Sequence, residues 1–345
     1  MTTILSATTT ASKGRLPILQ ILILCVIFSG CSGAVNLSGS GRIVPSFDGY
    51  PLLAYELISD DVELAQSTPR AILFYIQGSE YTTVLNERTM HTLASAAIFG
   101  SRVVVVEKRG VMRDTVNLDT CYYYAEKNLR VQDHLQVMAT YLQGVDSSVP
   151  VIVMGGSEGG DIAAAVAAKE KRTTHLLLLG SGGGWSQEKE LRTLVQRQPG
   201  YLGVSGVEEY DSIISQIKER PNSTEMWAGH PFKRWSSYLF SPPVESLLTL
   251  DIPILMIHGE KDINVPVESA RAVVEAFKQR GKENLTYREY ADANHQFIRT
   301  SDGSTLFPVI EVDIVQWLQD QEVLKPSEAQ VFIKRVKRAH PEAFK

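Results

Sequence analysis

Cysteine is scarce in this sequence. Only three of the 345 residues are cysteine, and two of them, Cys25 and Cys31, lie in the N-terminal segment. The remaining thiol, Cys121, has no partner for a disulfide in the rest of the chain, so an oxidising compartment is permitted but not required. No histidine motif accompanies Cys121. We therefore expect it to be a small buried packing residue rather than a nucleophile.

The sequence also lacks the patterns of metal and nucleotide sites. Its seven histidines show no H-E-x-x-H and no other metal-ligand spacing, and no phosphate-binding glycine loop follows the first strand. The net charge is −5, which argues against nucleic acid as a partner. The sequence therefore predicts no metal, no nucleotide and no other cofactor.

Acidic residues are absent from the first thirty positions. This segment carries two bases and then an apolar run at 16–28, which is too short to span a bilayer comfortably but has the layout of a secretory signal. It ends in Phe28-Ser29-Gly30-Cys31, which resembles the cleavage box of bacterial lipoprotein signals, where the cysteine becomes lipidated. An ordinary cleaved signal and an uncleaved anchor are the alternatives.

The lipoprotein resemblance implies a signal peptide at 1–30 and lipidation of Cys31, which would attach the protein to a membrane. A Gly/Ser-rich tether would follow at 31–41. Ser32, rather than an aspartate, follows the cysteine, as in lipoproteins sent to the outer membrane. We expect an exported protein, held at the bacterial outer membrane and facing the periplasm.

From residue 42 onward, apolar runs alternate with helical patterns. Two short apolar stretches joined at Asp48-Gly49 indicate a leading hairpin. Buried strands are predicted at Ala71–Ile76, Val103–Glu107, Val151–Met154, His175–Leu179, Ile254–His258 and Leu285–Tyr290. Helices are predicted at Glu87–Ala97, Leu129–Leu142, Asp161–Lys171, Glu268–Arg280 and Val309–Gln319. Such alternation implies an α/β fold, a mostly parallel sheet with helices on both faces. We expect this domain over 42–325 and a basic tail over 326–345.

One long segment interrupts the alternation. About seventy residues separate the strands that end at Leu179 and begin near Ile254, which is too long for an ordinary connection. We interpret residues 181–250 as an inserted cap over the active site. Its aromatic residues are candidates to line a substrate pocket: Trp185, Trp227, His230, Phe232 and Trp235. Packing of these rings between the cap and the main domain is the alternative.

Glycines crowd around one serine in Gly155-Gly156-Ser157-Glu158-Gly159. This G-x-S-x-G pattern lies between a predicted strand and a predicted helix, which is the context of a nucleophile elbow. The tight turn needs residues that tolerate unusual dihedral angles and close backbone contact, and glycine does both. Ser157 is therefore the candidate nucleophile.

A serine nucleophile needs a general base and a third group that orients the base. Asp262 lies just beyond a predicted strand, and His295 lies in the loop after the last one. Both positions are at strand C-terminal ends, where ligands bind in open α/β sheets. His258 is expected to be structural, and Glu260 and Asp292 remain alternative acids.

These motifs resemble those of prolyl oligopeptidase-type serine hydrolases in the α/β-hydrolase superfamily. The stretch 253–297 reads apolar strand, His-Gly-Glu-x-Asp, x-x-Val-Pro, helix, strand and His-x-Phe, and the similarity spans about Arg42 to Gln319. The segment before residue 42 is too short for the β-propeller of that family. The resemblance implies the α/β-hydrolase fold with an N-terminal hairpin and a cap. It also implies that Ser157 attacks the carbonyl, His295 transfers the proton and Asp262 holds the imidazole.

The resemblance further implies an oxyanion hole, made by the backbone amides of Ser79 and Glu158. Gln77 stands where the family more often has histidine. The Glu158 side chain either places a negative charge beside the site, favouring cationic or neutral substrates, or turns away into a salt bridge.

The leading interpretation is a serine hydrolase that cleaves an ester or amide bond in a small molecule or peptide through an acyl-enzyme on Ser157. Within enzymes, an aminopeptidase or oligopeptidase acting on short peptides is the alternative. Outside enzymes, the alternative is a non-catalytic binding protein on the same fold.

Overall fold

A computed structural model describes residues 37–59, 68–86, 93, 100–113 and 115–344. The predicted signal peptide and Cys31 lie outside these residues. Of the predicted helix Glu87–Ala97, only Leu93 is described, and it is helical and buried.

Eight strands form the central sheet. They are β1 (Leu37–Pro45), β2 (Pro51–Ser59), β3 (Ile72–Ile76), β4 (Arg102–Val106), β5 (Val151–Gly156), β6 (His175–Leu179), β7 (Ile254–Gly259) and β8 (Leu285–Tyr290). Their order in the sheet is β1-β2-β4-β3-β5-β6-β7-β8. Strands β3 to β8 pair in parallel, whereas β2 runs antiparallel to both β1 and β4. The predicted α/β-hydrolase fold, a mostly parallel sheet with an N-terminal hairpin, is confirmed.

The first strand is longer than the sequence predicts. Residues 37–41, assigned to a flexible tether, belong to β1 and pair with residues 55–59 of β2. The tether prediction is therefore wrong for these five positions. The pairing uses backbone groups, which a Gly/Ser-rich stretch supplies as well as any other, and so composition did not reveal it.

Ten helices are described. They are α1 (Leu118–Tyr123), α2 (Lys127–Tyr141), α3 (Glu158–Lys169), α4 (Gln187–Arg197), α5 (Val207–Glu219), α6 (Phe232–Leu239), α7 (Val244–Leu247), α8 (Val267–Gln279), α9 (Phe307–Asp320) and α10 (Pro326–Ala339). Among these residues, no helix has both the length and the apolar character that a membrane crossing needs.

The sheet separates two apolar cores. Alternate residues of β3 point to opposite faces, with Ile72 and Phe74 in one cluster and Leu73 in the other. Helices α2, α3 and α8 cover the first face, while α9 and α10 cover the second. Strands with apolar residues on both faces need such double coverage, which explains the uninterrupted apolar runs in the sequence.

The basic C-terminal segment packs against the second core. Helix α10 buries Ala329, Phe332, Ile333 and Val336 there, while its lysines and arginines at 334, 335, 337 and 338 remain exposed. This is an amphipathic helix with one face in the core. Residues 326–339 are thus packed onto the hydrolase domain rather than forming a solvated extension.

A buried arginine holds the N-terminal hairpin to the sheet. Arg109 donates from Nη1 to Asp48 in the hairpin turn at 2.7 Å and from Nη2 to Asp133 of α2 at 2.7 Å. Its guanidinium also stacks over Tyr50 and Tyr124, with 4.8 Å to each ring centroid. Because a guanidinium is planar and charged, its paired hydrogen bonds fix the position of the hairpin turn relative to α2.

The segment between β6 and β7 has an apolar cluster of its own. Helices α4, α5 and α6 bury side chains that include Leu194, Tyr210, Ile214 and Trp235 against each other. We call residues 181–250 the cap. Helix α6 also reaches the main domain, because Tyr238 belongs to the first core cluster.

Candidate active site

The turn between β5 and α3 holds Ser157 in a strained conformation. Its φ of 53° and ψ of −127° lie in a region that L-residues other than glycine rarely adopt. The Ser157 amide donates to the Leu179 carbonyl of β6 at 2.8 Å, which fixes the turn to the sheet. This is the geometry of a nucleophile elbow, with the side chain at the C-terminal edge of the strands.

Two glycines in the motif allow the close approach that this turn requires. A Cβ on Gly155 would overlap the backbone of Gly159, and a Cβ on Gly159 would overlap the carbonyl of Ile76 on β3. Gly156 differs, because a Cβ there would meet nothing nearer than the Tyr75 hydroxyl at 3.6 Å. The glycines are therefore required where the helix start crosses the sheet edge, and not throughout the motif.

The structure brings the three predicted side chains together. Nε2 of His295 lies 3.1 Å from Oγ of Ser157, and Nδ1 of His295 lies 2.6 Å from Oδ2 of Asp262. Asp262 follows β7 and His295 follows β8, so both reach the serine from neighbouring strand ends. Such a chain of contacts lets the imidazole accept the serine proton while the carboxylate orients the ring.

The Asp262 carboxylate is buried and held by the backbone. Its Oδ1 accepts hydrogen bonds from the amides of Asn264 at 2.8 Å and Val265 at 2.9 Å. The other oxygen is thereby directed at His295. The alternative acids are engaged elsewhere: Glu260 lies 3.5 Å from the Lys261 ammonium, and Asp292 accepts from nearby hydroxyls.

His258 is fully buried behind this group. Its Nδ1 lies 3.2 Å from the Ser181 carbonyl and its Nε2 lies 3.1 Å from the Val265 carbonyl. Burial lowers the pKa of His258 below its usual value. With both ring nitrogens directed at backbone carbonyls, the side chain braces the β7 loop that carries Asp262, as a structural histidine would.

The two predicted oxyanion residues both line the cavity in front of the serine. The loop that contains Ser79 runs beside the nucleophile, since a Cβ on Gly78 would lie 3.4 Å from Cβ of Ser157. Lys108 holds this loop by donating from Nζ to the Gly78 carbonyl at 2.5 Å. Glu158 is the first residue of α3, where backbone amides have no acceptor within the helix.

The Glu158 side chain turns into a buried salt bridge. Arg130 of α2 donates to it from Nη1 at 2.6 Å, and Arg234 of the cap helix α6 pairs with its other oxygen. Arg130 also donates from Nη2 to the Gln77 carbonyl at 2.7 Å, so one guanidinium contacts the elbow and the oxyanion loop together. Of the two possibilities left open by the sequence, the structure shows the salt bridge.

Sequence reasoning missed both of these arginines. Neither lies in a catalytic motif, and their shared partner is distant along the chain. The one available signal was the carboxylate at position 158, next to two glycines at the start of a largely apolar helix, where a buried acid needs a cation.

A cavity of about 430 Å³ opens in front of Ser157, between the cap and the strand ends. Trp185, His230 and Trp235 line it, as predicted. The prediction for Trp227 is wrong: its ring packs 5.0 Å from that of Trp235, and its carbonyl accepts the Trp235 indole N–H at 2.8 Å. Phe232 likewise belongs to the apolar cluster of the cap. These two rings stabilise the cap and leave the cavity to their neighbours.

Two acids in the cavity wall are not free carboxylates. Burial raises the pKa of Glu190 to about 8, and its carboxyl group contacts the Ser269 hydroxyl at 2.5 Å. Burial also raises the pKa of Asp161, which lies 3.5 Å from the Lys127 ammonium. Glu190 is therefore mainly protonated at neutral pH, and Asp161 has a cation beside it.

Comparisons with known proteins agree with this architecture. The model of the prolyl oligopeptidase family matches residues 201–319. The structure of Est1E from Butyrivibrio proteoclasticus is 15% identical with a TM-score of 0.57, covering 82% of this chain and 99% of that chain. The esterase Pf2001 from Pyrococcus furiosus is 14% identical with a TM-score of 0.55, covering 82% of this chain and 90% of that chain.

A peptidase is also similar. The acylaminoacyl peptidase of Pyrococcus horikoshii is 13% identical with a TM-score of 0.57, covering 83% of this chain but only 41% of that chain. No curated protein matches this sequence. At such identities the structural likeness shows a shared fold, and the family match covers the part of the chain that carries Asp262 and His295. The chain is therefore a serine hydrolase of the α/β-hydrolase fold, whose residues 201–319 match the prolyl oligopeptidase family.

Proposed function

We propose that this enzyme hydrolyses carboxylic esters, or amides of similar size, through an acyl-enzyme on Ser157. The observation that carries the proposal is the continuous chain of short contacts from Ser157 through His295 to Asp262. These groups have the identities, order and geometry that activate a serine at neutral pH.

In the proposed mechanism, Nε2 of His295 takes the proton of Ser157 as Oγ attacks the substrate carbonyl carbon. Asp262 stabilises the imidazolium through Nδ1. The negative charge on the carbonyl oxygen is met by the backbone amides of Ser79 and Glu158. His295 then protonates the departing alkoxide or amine. Water repeats the sequence in the second half and releases the acid.

An ester or a small amide is favoured over a peptide with a free N-terminus. Binding an α-ammonium group needs an unpaired carboxylate in the cavity. Among the described lining residues, Glu158 is shared by two arginines, Asp161 has Lys127 beside it, Glu190 is mainly protonated, and Glu80 is exposed to solvent. Aminopeptidase activity therefore remains the second candidate, favoured by the family match at 201–319.

Labelling with a fluorophosphonate tests the nucleophile. The wild-type protein is expected to label, and Ser157→Ala is expected to lose labelling completely. Ser181→Ala is the matched control, because this hydroxyl lies in the same cavity wall but follows a different strand, so labelling is expected to persist. A folded wild-type protein that does not label would instead favour the binding-protein alternative.

The substrate class is tested next. Nitrophenyl esters with acyl chains of increasing length and aminoacyl anilides with free N-termini are compared by kcat/KM. Faster turnover of the esters supports the proposal, whereas faster turnover of the anilides would establish the aminopeptidase.

We also propose that the protein is exported and attached to the outer membrane through a lipid on Cys31. The support is the sequence of the N-terminal segment alone. Mass spectrometry of the mature protein from membranes should find an acylated N-terminal cysteine. Cys31→Ala should release the protein from the membrane fraction, and an unmodified residue 31 in the mature chain would refute the proposal.

A further inference from the structure

Beside the cavity, two buried arginines outnumber the carboxylate that they share, and one of them, Arg234, lines the cavity itself. Arg130 and Arg234 share the single carboxylate of Glu158, and the side chains of all three are at most 9% exposed. Lys108 lies near these arginines and contacts backbone carbonyls, but burial and the neighbouring arginines lower its pKa well below its usual value, so the excess of charge comes from the arginines. Burying cations without an equal number of anions is unfavourable, so this excess calls for a reason.

Arg234 has a hydrogen-bond donor, Nη1, that no described residue accepts. It lines the cavity, is only 3% exposed, and its Nη1 has no hydrogen-bond partner among the described residues. A buried charged donor without a partner is destabilising, and native proteins seldom retain one without a use for it. The guanidinium is also held in place, because it stacks 4.3 Å from the centroid of Trp235 and 4.8 Å from that of Tyr238.

A second unpaired group lies against the same indole. The ring of His230 meets that of Trp235 edge-on at 5.4 Å, and its buried Nδ1 also has no partner among the described residues. His230 lines the cavity as well. Arg234, His230 and Trp235 thus form one polar patch on a flat aromatic support; we call these three residues the arginine patch.

Glu158 pairs with Nη2 of Arg234, and the other nearby acids do not compete for its Nη1. Glu190 accepts a hydrogen bond from the Ser269 hydroxyl and is mainly uncharged, and Asp161 is paired with Lys127. Glu80, which also lines the cavity, is exposed to solvent. An anion that entered the cavity would therefore find the guanidinium of Arg234 without displacing another carboxylate.

We propose that the arginine patch binds a carboxylate of the substrate, so that the enzyme prefers esters or amides that carry a second, anionic group. This inference rests on the proposed hydrolase function and narrows its substrate class. A guanidinium fixed 4.3 Å from the indole centroid, with Nη1 unpaired among the described residues, can donate a charge-assisted hydrogen bond to a carboxylate. The remote carboxylate would also hold the scissile carbonyl in position at Ser157.

The test compares three nitrophenyl esters of similar length on the wild-type enzyme: the neutral hexanoate, the anionic monoester of adipic acid and the cationic 6-aminohexanoate. We expect kcat/KM for the adipate monoester to exceed that for the hexanoate by about 10- to 100-fold, as for a hydrogen bond to a charged group. The aminohexanoate should be the slowest. Equal values, or the reverse order, would overturn the proposal.

A variant then assigns the preference to the patch. In Arg234→Met, the ratio of the anionic to the neutral kcat/KM is expected to fall to near one. Arg192→Met is the matched control, since Arg192 pairs with Asp211 on the outside of the cap at 3.0 Å, and the ratio should stay at its wild-type value. If Arg234→Met does not fold, the wild-type ester series and Arg234→Lys still decide, because lysine has a single ammonium group in place of the planar guanidinium and should reduce the ratio.

Failure of the hydrolase proposal is distinguishable from failure of this inference. A protein that hydrolyses the neutral ester without a charge preference is a hydrolase lacking an anion site. If no ester in the series is turned over, the rate of fluorophosphonate labelling is measured with adipate and with adipamide, its neutral counterpart. Protection by adipate alone supports the patch, and equal protection refutes it. Absence of labelling at Ser157 refutes both proposals.

Discussion

The ion pair around Glu158 offers the sharpest test of how this site is held together. We consider Glu158→Gln, which keeps the size of the side chain and an oxygen that can accept from Arg130, but removes the negative charge. Two guanidinium groups would then lie side by side without a counter-charge, with side-chain exposures of 9% for Arg130 and 4% for Arg234. Little water can reach the two guanidinium groups to compensate for the removed negative charge.

The expected magnitude follows from this burial. Removing one partner of a buried pair typically costs about 3 to 5 kcal/mol, because the remaining charge is left uncompensated. The retained amide oxygen still accepts one hydrogen bond, so we expect the lower end, about 3 kcal/mol of unfolding free energy. Adding Arg130→Met to Glu158→Gln should cost less than the sum of the two single changes, because the second change removes one of the unpaired cations.

Urea unfolding monitored by circular dichroism measures the effect as a shift of the midpoint at an unchanged slope. The control is Asp211→Asn, which breaks an arginine pair in the cap at 3.0 Å, with side-chain exposures of 40% and 48%. Exposed pairs contribute about 0 to 1 kcal/mol, so its midpoint should barely move. If Glu158→Gln loses no more stability than Asp211→Asn, the reasoning about buried charge at this site is wrong.

Three further outcomes are expected. Gly159→Ala should abolish folding or activity because its Cβ would overlap the Ile76 carbonyl, whereas Gly156→Ala should leave the unfolding midpoint nearly unchanged, as urea titration of both variants would show. Asp262→Asn should lower kcat by about 10⁴-fold on a nitrophenyl ester, because an amide cannot hold the required tautomer of His295; a loss below about tenfold would contradict the assigned role. Glu190→Gln should alter the pH dependence of stability. The pKa of Glu190 is about 8 in the folded protein and 4.5 for the ordinary side chain, so between pH 4.5 and 8 the folded state holds a proton that the unfolded state has lost. The wild-type protein therefore becomes less stable as the pH rises through this range. The variant should lack this decline and be the more stable protein at pH 8, by a few kcal/mol, and parallel curves from pH 4.5 to 8 would refute it.

The strands and the order of the catalytic residues along the chain could be predicted from the sequence for a physical reason. Strands buried on both faces must be apolar throughout, and Val151–Met154 and Ile254–His258 stand out as such runs. Glycines at 155 and 159 are required by close backbone contacts, so they leave a local pattern around Ser157. Features determined by neighbours in sequence can be read from sequence.

The remaining features depend on contacts between distant segments. No local pattern joins Arg130 and Arg234 to Glu158, because each lies on a different helix and the charge balance arises only in the folded chain. Trp185 and Trp227 are equally aromatic in sequence, yet only Trp185 lines the cavity. The Gly/Ser-rich composition of residues 37–41 likewise did not indicate a strand, because their pairing in β1 depends on backbone groups.

The shared carboxylate of Glu158 also affects how substrates come and go. One of its arginines belongs to the main domain and the other to cap helix α6, and the Ser237 hydroxyl of the same helix accepts the Lys127 amide at 3.0 Å. Lifting α6 would separate a buried ion pair and withdraw Tyr238 from the core. The cap is thus tied to the main domain by buried contacts, and we expect substrates to reach Ser157 without the cap lifting. Selection among substrates then depends on the lining of the cavity rather than on a movement of the cap.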